Sequence, residues 1–334
     1  MRSICISIVA TLVLAGSAIA APTIIAHDCD GHGGACCRVY EVQDDSPPTP
    51  LTRCDDNDVV DILWVVNAPA MEYMGGGAAV LDEVHLAMGK ANEAFANAQI
   101  PFSTRLVGLH VTQYEWNSSY IYDLQNPNDG QMDEVHVIRD AKAADLVALI
   151  TIDGYCGVAF VAPDNPAYGF QGNSADCLLM DWASPMRHEL GHNLGSKHYT
   201  TDGGGYFSWS AGHVLTLDDG SQVGTCLAGN NLPNYSNPNV LYKGVRTGIP
   251  AGEPGEADNH LAFSVTVPMV ADFRCSFTAC PADTDYNGMI DTDDVLAVLS
   301  AWGPAAADSA DVVLDGMCNV DDLLVVISAW GACP

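Results

Sequence analysis

A mixed α/β (α+β) domain followed by a small all-α module is the fold class that the sequence predicts. Three observations lead there. Between about residues 58 and 275, apolar runs that suit strands alternate with stretches whose apolar residues recur at helical spacing. From Cys280 onward the composition turns to Asp, Gly and Ala, and a segment repeats at a spacing of 28 residues. The 334 residues are 48% hydrophobic, enough to bury the core of one large domain and a smaller companion.

In chain order, Met1 and Arg2 make a positive start, Ile4 to Ala15 is a short apolar run, and Ala18-Ile19-Ala20 fits a small-x-small cleavage site. Residues 1–20 are therefore expected to be a signal peptide, and the mature chain to be secreted from Ala21. No later stretch reaches transmembrane length, so none is expected in the mature chain. Residues 21–57 hold Cys29, Cys36, Cys37 and Cys54 and a Pro-rich Ser46-Pro47-Pro48-Thr49-Pro50. They read as a disulfide-tied extension or a short pro-segment. A metal site from His27, Cys29, His32 and Cys36 is the weaker alternative in an oxidising compartment. Of the 12 cysteines, Cys5 leaves with the signal, and the odd remainder leaves at least one thiol free or paired between chains.

Within 58–275, Val59 to Val66 is a buried-strand run. Val80, Val84, Met88, Ala91 and Phe95 define one face of a helix that follows Gly75-Gly76-Gly77. Val107, Leu109 and Val111 alternate as in a strand; Asp133 to Ala143 suits a helix, Leu146 to Ile152 a strand, and Cys156 to Val161 an edge-like strand. Strands alternating with helices imply a partly parallel sheet.

The charge balance narrows the function. Lys+Arg number 12 against 42 Asp+Glu, a formal net charge of −30. Such a surface repels phosphate backbones, so no nucleic-acid partner is expected, while cations, calcium above all, are attracted.

The sharpest chemical signal is His188-Glu189-Leu190-Gly191-His192-Asn193-Leu194-Gly195-Ser196-Lys197-His198. Ser184 is placed to cap a helix and Pro185 suits its first position. Met186, Leu190 and Leu194 fall on one face, while His188 and His192, four apart, point together from another. Two imidazoles one turn apart can reach one zinc ion. Gly195 can end the helix in a left-handed turn that swings His198 back as a third ligand. Three protein ligands leave a fourth position for water, and Glu189 is placed to act as its general base.

This spacing is the metzincin signature, and the surrounding segments resemble the reprolysin-like branch, including bacterial peptidyl-Asp metalloendopeptidases. Ala91-Asn92-Glu93-Ala94-Phe95-Ala96 resembles part of that family's first long helix, and Tyr155-Cys156-Gly157-Val158-Ala159 its edge-strand region. Tyr235-Ser236-Asn237-Pro238 and Ala257-Asp258-Asn259 resemble segments downstream of the zinc helix. The resemblance implies a metzincin-type mixed sheet with a long active-site helix over residues 58–275. It also implies one catalytic zinc on His188, His192 and His198, Glu189 as catalytic base, and a protein or peptide substrate. Two positions depart from the pattern. Thr225-Cys226-Leu227-Ala228 stands where the family's methionine turn would be, with Leu227 in place of methionine. Tyr199 follows the third histidine where the family usually has Asp.

Over residues 280–334, Asp283, Asp285, Asn287, Gly288, Asp291 and Asp294 occupy positions 1, 3, 5, 6, 9 and 12 of an EF-hand-like loop, with the Met289 carbonyl at position 7. The second copy offers Asp311, Asp315, Gly316, Met317, Asn319 and Asp322 but has Val313 at position 3, so its calcium site is expected to be weaker. One or two structural calcium ions are expected. The duplicated loop and short helix resemble a type I dockerin, which implies a cohesin-like or cell-surface partner; Thr292-Asp293 and Val320-Asp321 stand where Ser/Thr pairs often make that contact. Two functional classes follow: a secreted zinc metalloendopeptidase with a calcium-binding docking module, or a non-catalytic adhesion or scaffold protein that keeps a metzincin shell. The presence of Glu189 favours the enzyme.

Overall fold

One mixed sheet organises the chain, and its strands come from segments far apart in sequence. The computed structural model describes residues 23–28, 36–41, 58–152, 155–180, 184–276, 279–305 and 308–333. Residues 1–20 and the side chains of 21–57 lie outside the described set, so the signal peptide and the cysteines of the N-terminal block do too.

The elements follow in order. Strands β1 (Thr23–Asp28) and β2 (Cys36–Glu41) precede β3 (Val59–Asn67), helices α1 (Ala68–Met74) and α2 (Gly77–Asn97), and β4 (Ser103–Thr112). Next come α3 (Tyr120–Gln125), α4 (Asp133–Ala141), β5 (Leu146–Thr151), β6 (Gly157–Val161), β7 (Phe170–Ser174), α5 (Ala175–Leu178) and α6 (Pro185–Asn193). Two hairpins, β8 (Val214–Thr216) with β9 (Gln222–Gly224) and β10 (Leu241–Tyr242) with β11 (Val245–Arg246), lead to α7 (Asn259–Ala271). The sheet order is β2-β1-β6-β7-β5-β3-β4. β4, β3, β5 and β7 run parallel, whereas β6, β1 and β2 are joined antiparallel.

Local chemistry accounts for the main elements. The apolar run of β3 is buried on both faces, as a central parallel strand requires. The Asn67 side chain accepts from Ala70 N–H to start α1, and Gly75 ends it at φ 99°, a left-handed conformation that only glycine adopts cheaply. One face of the sheet packs Ile62, Trp64, Ala148 and Ile150 against α2, α6 and α7; the other packs Leu63, Val65, Leu149 and Phe160 against α3 and α4. The chain therefore forms a three-layer arrangement with α6 on one side of the sheet.

Cys156 to Val161 is not an edge, as the sequence suggested. β1 pairs along its outer side, from Thr23 opposite Val161 to His27 opposite Gly157. Strand pairing over more than a hundred residues leaves no local mark in sequence, which is why the neighbour was missed.

The repeat unit packs around its own small core of Cys280, Ile290, Val298, Ala310, Cys318 and Val326. Its helices α8 (Thr292–Ser300) and α9 (Val320–Ser328) follow the two loops. It is not purely helical, because β12 (Met289–Ile290) pairs with β15 (Gly331–Ala332), and β13 (Gly303–Pro304) with β14 (Met317–Cys318). A Cys280–Cys333 disulfide closes it. It rests on the larger unit: Cys280 N–H donates to Ala141 O at 2.9 Å, and the buried Lys142 ammonium donates to Pro281 O at 3.0 Å. Cys156 is bonded to Cys177, Cys275 is also disulfide-bonded, and Cys226 and Cys318 are buried free thiols.

Candidate metal centre

Helix α6 carries the motif, and every residue of it is buried. Met186, Leu190 and Leu194 are fully inaccessible and face the core. Two features lock the helix to the sheet: Asn193 Nδ2 donates to both Phe160 O and Phe170 O, bridging β6 and β7, and the Tyr235 hydroxyl donates to Arg187 O. Ser184 stands at the cap position but its hydroxyl makes no capping bond, a correction to the expected N-cap; Pro185 at the first turn supplies the start instead. Gly195 has φ 92°, the left-handed turn that brings the chain back.

That turn places His198 beside His188 and His192. The three Nε2 atoms lie 3.0, 3.2 and 3.2 Å apart. His188 Nδ1 sits 2.7 Å from Cys226 O, and His192 Nδ1 2.7 Å from Ser196 O. A carbonyl can only accept, so both Nδ1 atoms carry protons and both Nε2 atoms present lone pairs. Lone pairs facing each other at this distance repel, and no proton arrangement makes all three contacts hydrogen bonds. A cation between them removes the conflict. Zinc–nitrogen bonds of about 2.0–2.1 Å in a tetrahedron separate neighbouring nitrogens by roughly 3.3–3.4 Å, close to the spacing found. The donor set and its carbonyl supports thus fit one zinc ion.

Glu189 lies on the same helix, 1% exposed. Burial pushes its carboxyl well above the usual range. Its carboxyl group fills the space over Gly157 of β6, where any Cβ would overlap it. Leu227, also buried, packs beneath α6, and a Cβ on Gly191 would overlap its side chain. The segment that resembles the methionine turn therefore does two things: Leu227 supports the helix and Cys226 O orients His188. Tyr199 N–H donates to Asp202 Oδ2 at 3.1 Å, so an acid three residues further along stands near the end of the motif.

In the C-terminal repeats the oxygens of Asp283, Asp285 and Asp294 come within 4.8 Å of one another. Asp291 caps α8 by accepting from Asp293 N–H. Asn287 accepts from Met289 N–H, and Met289 lies in β12. In the second copy, Asp311 accepts from Asp315 and Gly316 N–H, Asp315 from Met317 N–H, and Asn319 and Asp322 form the capping box of α9. Among the described residues, no comparable cluster of three acids forms there.

Sequence reasoning missed Gly157 as the seat of Glu189, Asn193 as the bridge to the sheet, and Asn173 of β7, fully buried beside this site. The available signal was polar side chains, Gln171 and Asn173, at core-facing positions of a strand just before the motif.

A buried three-histidine centre with an adjacent glutamate, on a helix against a mixed sheet, is the arrangement of a metal-dependent hydrolase. Comparison with known proteins agrees. Residues 81–199 match the family model described as Metallo-peptidase family M12B Reprolysin-like. Over 227 residues the chain is 30% identical to a peptidyl-Asp metalloendopeptidase of Stenotrophomonas maltophilia, covering 64% of this chain and 52% of that protein. A peptidyl-Asp metalloendopeptidase of Xanthomonas campestris pv. campestris is 28% identical over 223 residues, with the same coverage. The chain spans about half the length of these curated relatives. A solved chain described as part of a chaperone–substrate complex shares the fold, at TM-score 0.52 and 21% identity, covering 71% of this chain and 39% of that one. The matches support a metzincin-like, zinc-dependent metallopeptidase. Among the described residues, no helix is long and apolar enough to cross a membrane.

Proposed function

We propose that the chain is a secreted zinc metalloendopeptidase. The observation that carries the reading is the convergence of three imidazoles, 3.0–3.2 Å apart and two of them held by backbone carbonyls, with a buried glutamate on the helix that carries those two. His188, His192 and His198 would hold the ion, which supplies Lewis acidity toward a peptide carbonyl and toward water. Glu189 takes the proton of the attacking water and passes it to the leaving amine. The closely packed wall of α6, β6 and β7 excludes bulk water from that transfer. A scaffold protein has no use for this glutamate, so its retention argues against the non-catalytic alternative.

The other parts of the reading rest on sequence. Residues 1–20 export the chain, and 280–334 form a dockerin-like module that takes calcium in its first loop, more weakly in its second, and attaches to a cohesin-like or cell-surface partner. The clustering of Asp283, Asp285 and Asp294 supports the first calcium site. The description of the relatives as peptidyl-Asp enzymes makes Asp-containing peptides the first substrates to try. The test compares parent and Glu189→Gln on casein and on such peptides, with zinc content measured on both. The parent should hold one zinc and lose cleavage to a chelator. The variant should keep zinc and lose about 10²–10⁴-fold in rate. A parent that binds zinc but cleaves nothing, or a variant as active as the parent, refutes the assignment.

A further inference from the structure

The side of β7 that faces α6 holds polar groups that the chemistry described above does not use. Asn173 is fully buried, and neither its Oδ1 nor its Nδ2 has a hydrogen-bond partner among the described residues. Glu189 Oε2 and Gln171 Oε1 are buried and unpartnered in the same sense. An amide left unpaired in a protein interior is destabilising. Residues that carry such a cost mark places where side chains serve function.

Register places Asn173 against the base. It pairs with Ile150 of β5, whose side chain belongs to the core shared with Met186 and Leu190 of α6, so Asn173 faces that helix. Its antiparallel partner on β6 is Gly157. Side chains at directly opposed antiparallel positions share one face with their Cβ atoms about 4.5–5.5 Å apart. The space where Gly157 would carry a Cβ is occupied by the Glu189 carboxyl group. Asn173 therefore flanks that carboxyl, and the two have complementary needs: a carboxylate accepts, and a primary amide donates through Nδ2. The intervening Gly172 faces the opposite side, where the Tyr120 ring covers it, so only Asn173 serves the catalytic side at this point of β7.

We propose that Asn173 is a positioning residue that turns its unpartnered Nδ2 to donate to the equally unpartnered Glu189 carboxyl and holds that group in the orientation needed for proton transfer. The inference rests on the peptidase reading of Glu189, and its test separates the two. Asn173→Ala and the near-isosteric Asn173→Asp, which removes the donor and adds a like charge, are compared with the parent in kcat, KM, zinc content and urea unfolding. Both variants should retain zinc. Asn173→Ala should lose about 10–100-fold in kcat with KM within about twofold, the size of effect that partners of catalytic ligands show. Asn173→Asp should be at least as slow, because a second buried carboxyl group shares a proton with Glu189, which then cannot act as a free base.

A double-mutant cycle in the zinc-free protein supplies the readout independent of catalysis. If the contact exists, the shifts in urea midpoint for Asn173→Ala and Glu189→Gln do not sum to that of the double variant. Should Asn173→Ala fail to fold, Asn173→Ser takes its place in both measurements. Parent-like kcat in a zinc-loaded Asn173→Ala protein, a rise in KM alone, or additive midpoint shifts would overturn the proposal. An inactive parent would count against the peptidase reading, while the cycle would still decide whether Asn173 holds Glu189.

Discussion

The two sets of candidate metal ligands in this chain solve opposite problems. At α6 and the turn that follows it, the three Nε2 atoms face one another at 3.0–3.2 Å, with two of the imidazoles held by backbone carbonyls on their far sides. No arrangement of protons on the three ring nitrogens makes every contact between them a hydrogen bond, so the geometry suits a cation. In the C-terminal repeat the carboxylates also accept from their own backbone. Asp283 accepts from Asn287 and Gly288 N–H, and Asp294 accepts from Thr284 and Asp291 N–H. Those bonds shape an acidic turn whose carboxylates keep further lone pairs for a cation. Both motifs show in the spacing of their residues, yet in the first the lone pairs face only one another, while in the second backbone N–H groups satisfy part of them. The lesson is that the hydrogen bonding around a ligand set, more than its spacing, distinguishes a demanded site from an available one.

The sharpest way to break that contrast is to show that the loops do bind. On the full chain, isothermal titration with calcium should find a stronger site that Asp283→Ala weakens on the order of tenfold more than Asp311→Ala does, since affinity follows the number of charged ligands and Val313 leaves the second loop short of one. Each of the two acids accepts from the backbone N–H groups four and five residues further on, so in excess chelator both substitutions should lower stability equally. That shared loss separates the structural role from the ligand role. Absence of calcium binding in the parent would leave these loops as acidic turns and widen the contrast.

How much of this could be read from sequence follows the range of the interactions. The β3 run is a continuous apolar stretch, the α2 face and the buried face of α6 are local patterns of period 3.6, and the structure has all three within a residue or two of the expected limits. The grouping of His188, His192 and His198 was legible because one helical turn and one glycine turn separate them. The partner of His188 was not, since Cys226 lies 38 residues further on. The same holds for Gly157, whose lack of a side chain matters only because Glu189 arrives from α6. It holds again for β1, which turns the expected edge strand into an interior one.

A smaller effect probes the seam between the two regions. Lys142 is 7% exposed, and burial lowers its ammonium from the usual range to about 8, although Asp283 and Asp311 favour its charge. The folded-state value lies below that of the unfolded chain, near 10.4. Between those values the unfolded chain binds more protons, so stability rises with pH. The cost of burying the charge is fully present below pH 8 and disappears above about pH 10.5. The expected gain is at most about 3 kcal/mol, seen as a rise in Tm across that window. Lys142→Met, which keeps the apolar stem and removes the titration, should flatten it. An equal rise in both proteins would show that the seam does not bury this charge.

The smallest effect expected concerns the turn beneath the metal helix, where the chain departs from the family it resembles. Leu227 is 1% exposed and fills the gap that Gly191 leaves in α6, with Tyr235 on the other side of that gap. Leucine and methionine have similar volumes, and swaps that conserve volume usually cost under about 1.5 kcal/mol. The polar part of the turn's work does not pass through this side chain, because His188 is oriented by the carbonyl of Cys226. A thioether at 227 would therefore change the packing beneath the helix without touching the imidazole supports. Leu227→Met should leave zinc content and kcat/KM within about threefold of the parent and Tm within a few degrees. Leu227→Ala should lose about 2–5 kcal/mol of stability through the cavity it opens under α6. A large gain in activity for Leu227→Met would mean that sulfur beneath the histidines contributes to the chemistry, and the difference between the two metal regions would then lie in what surrounds the ligands' supports as well as in the supports themselves.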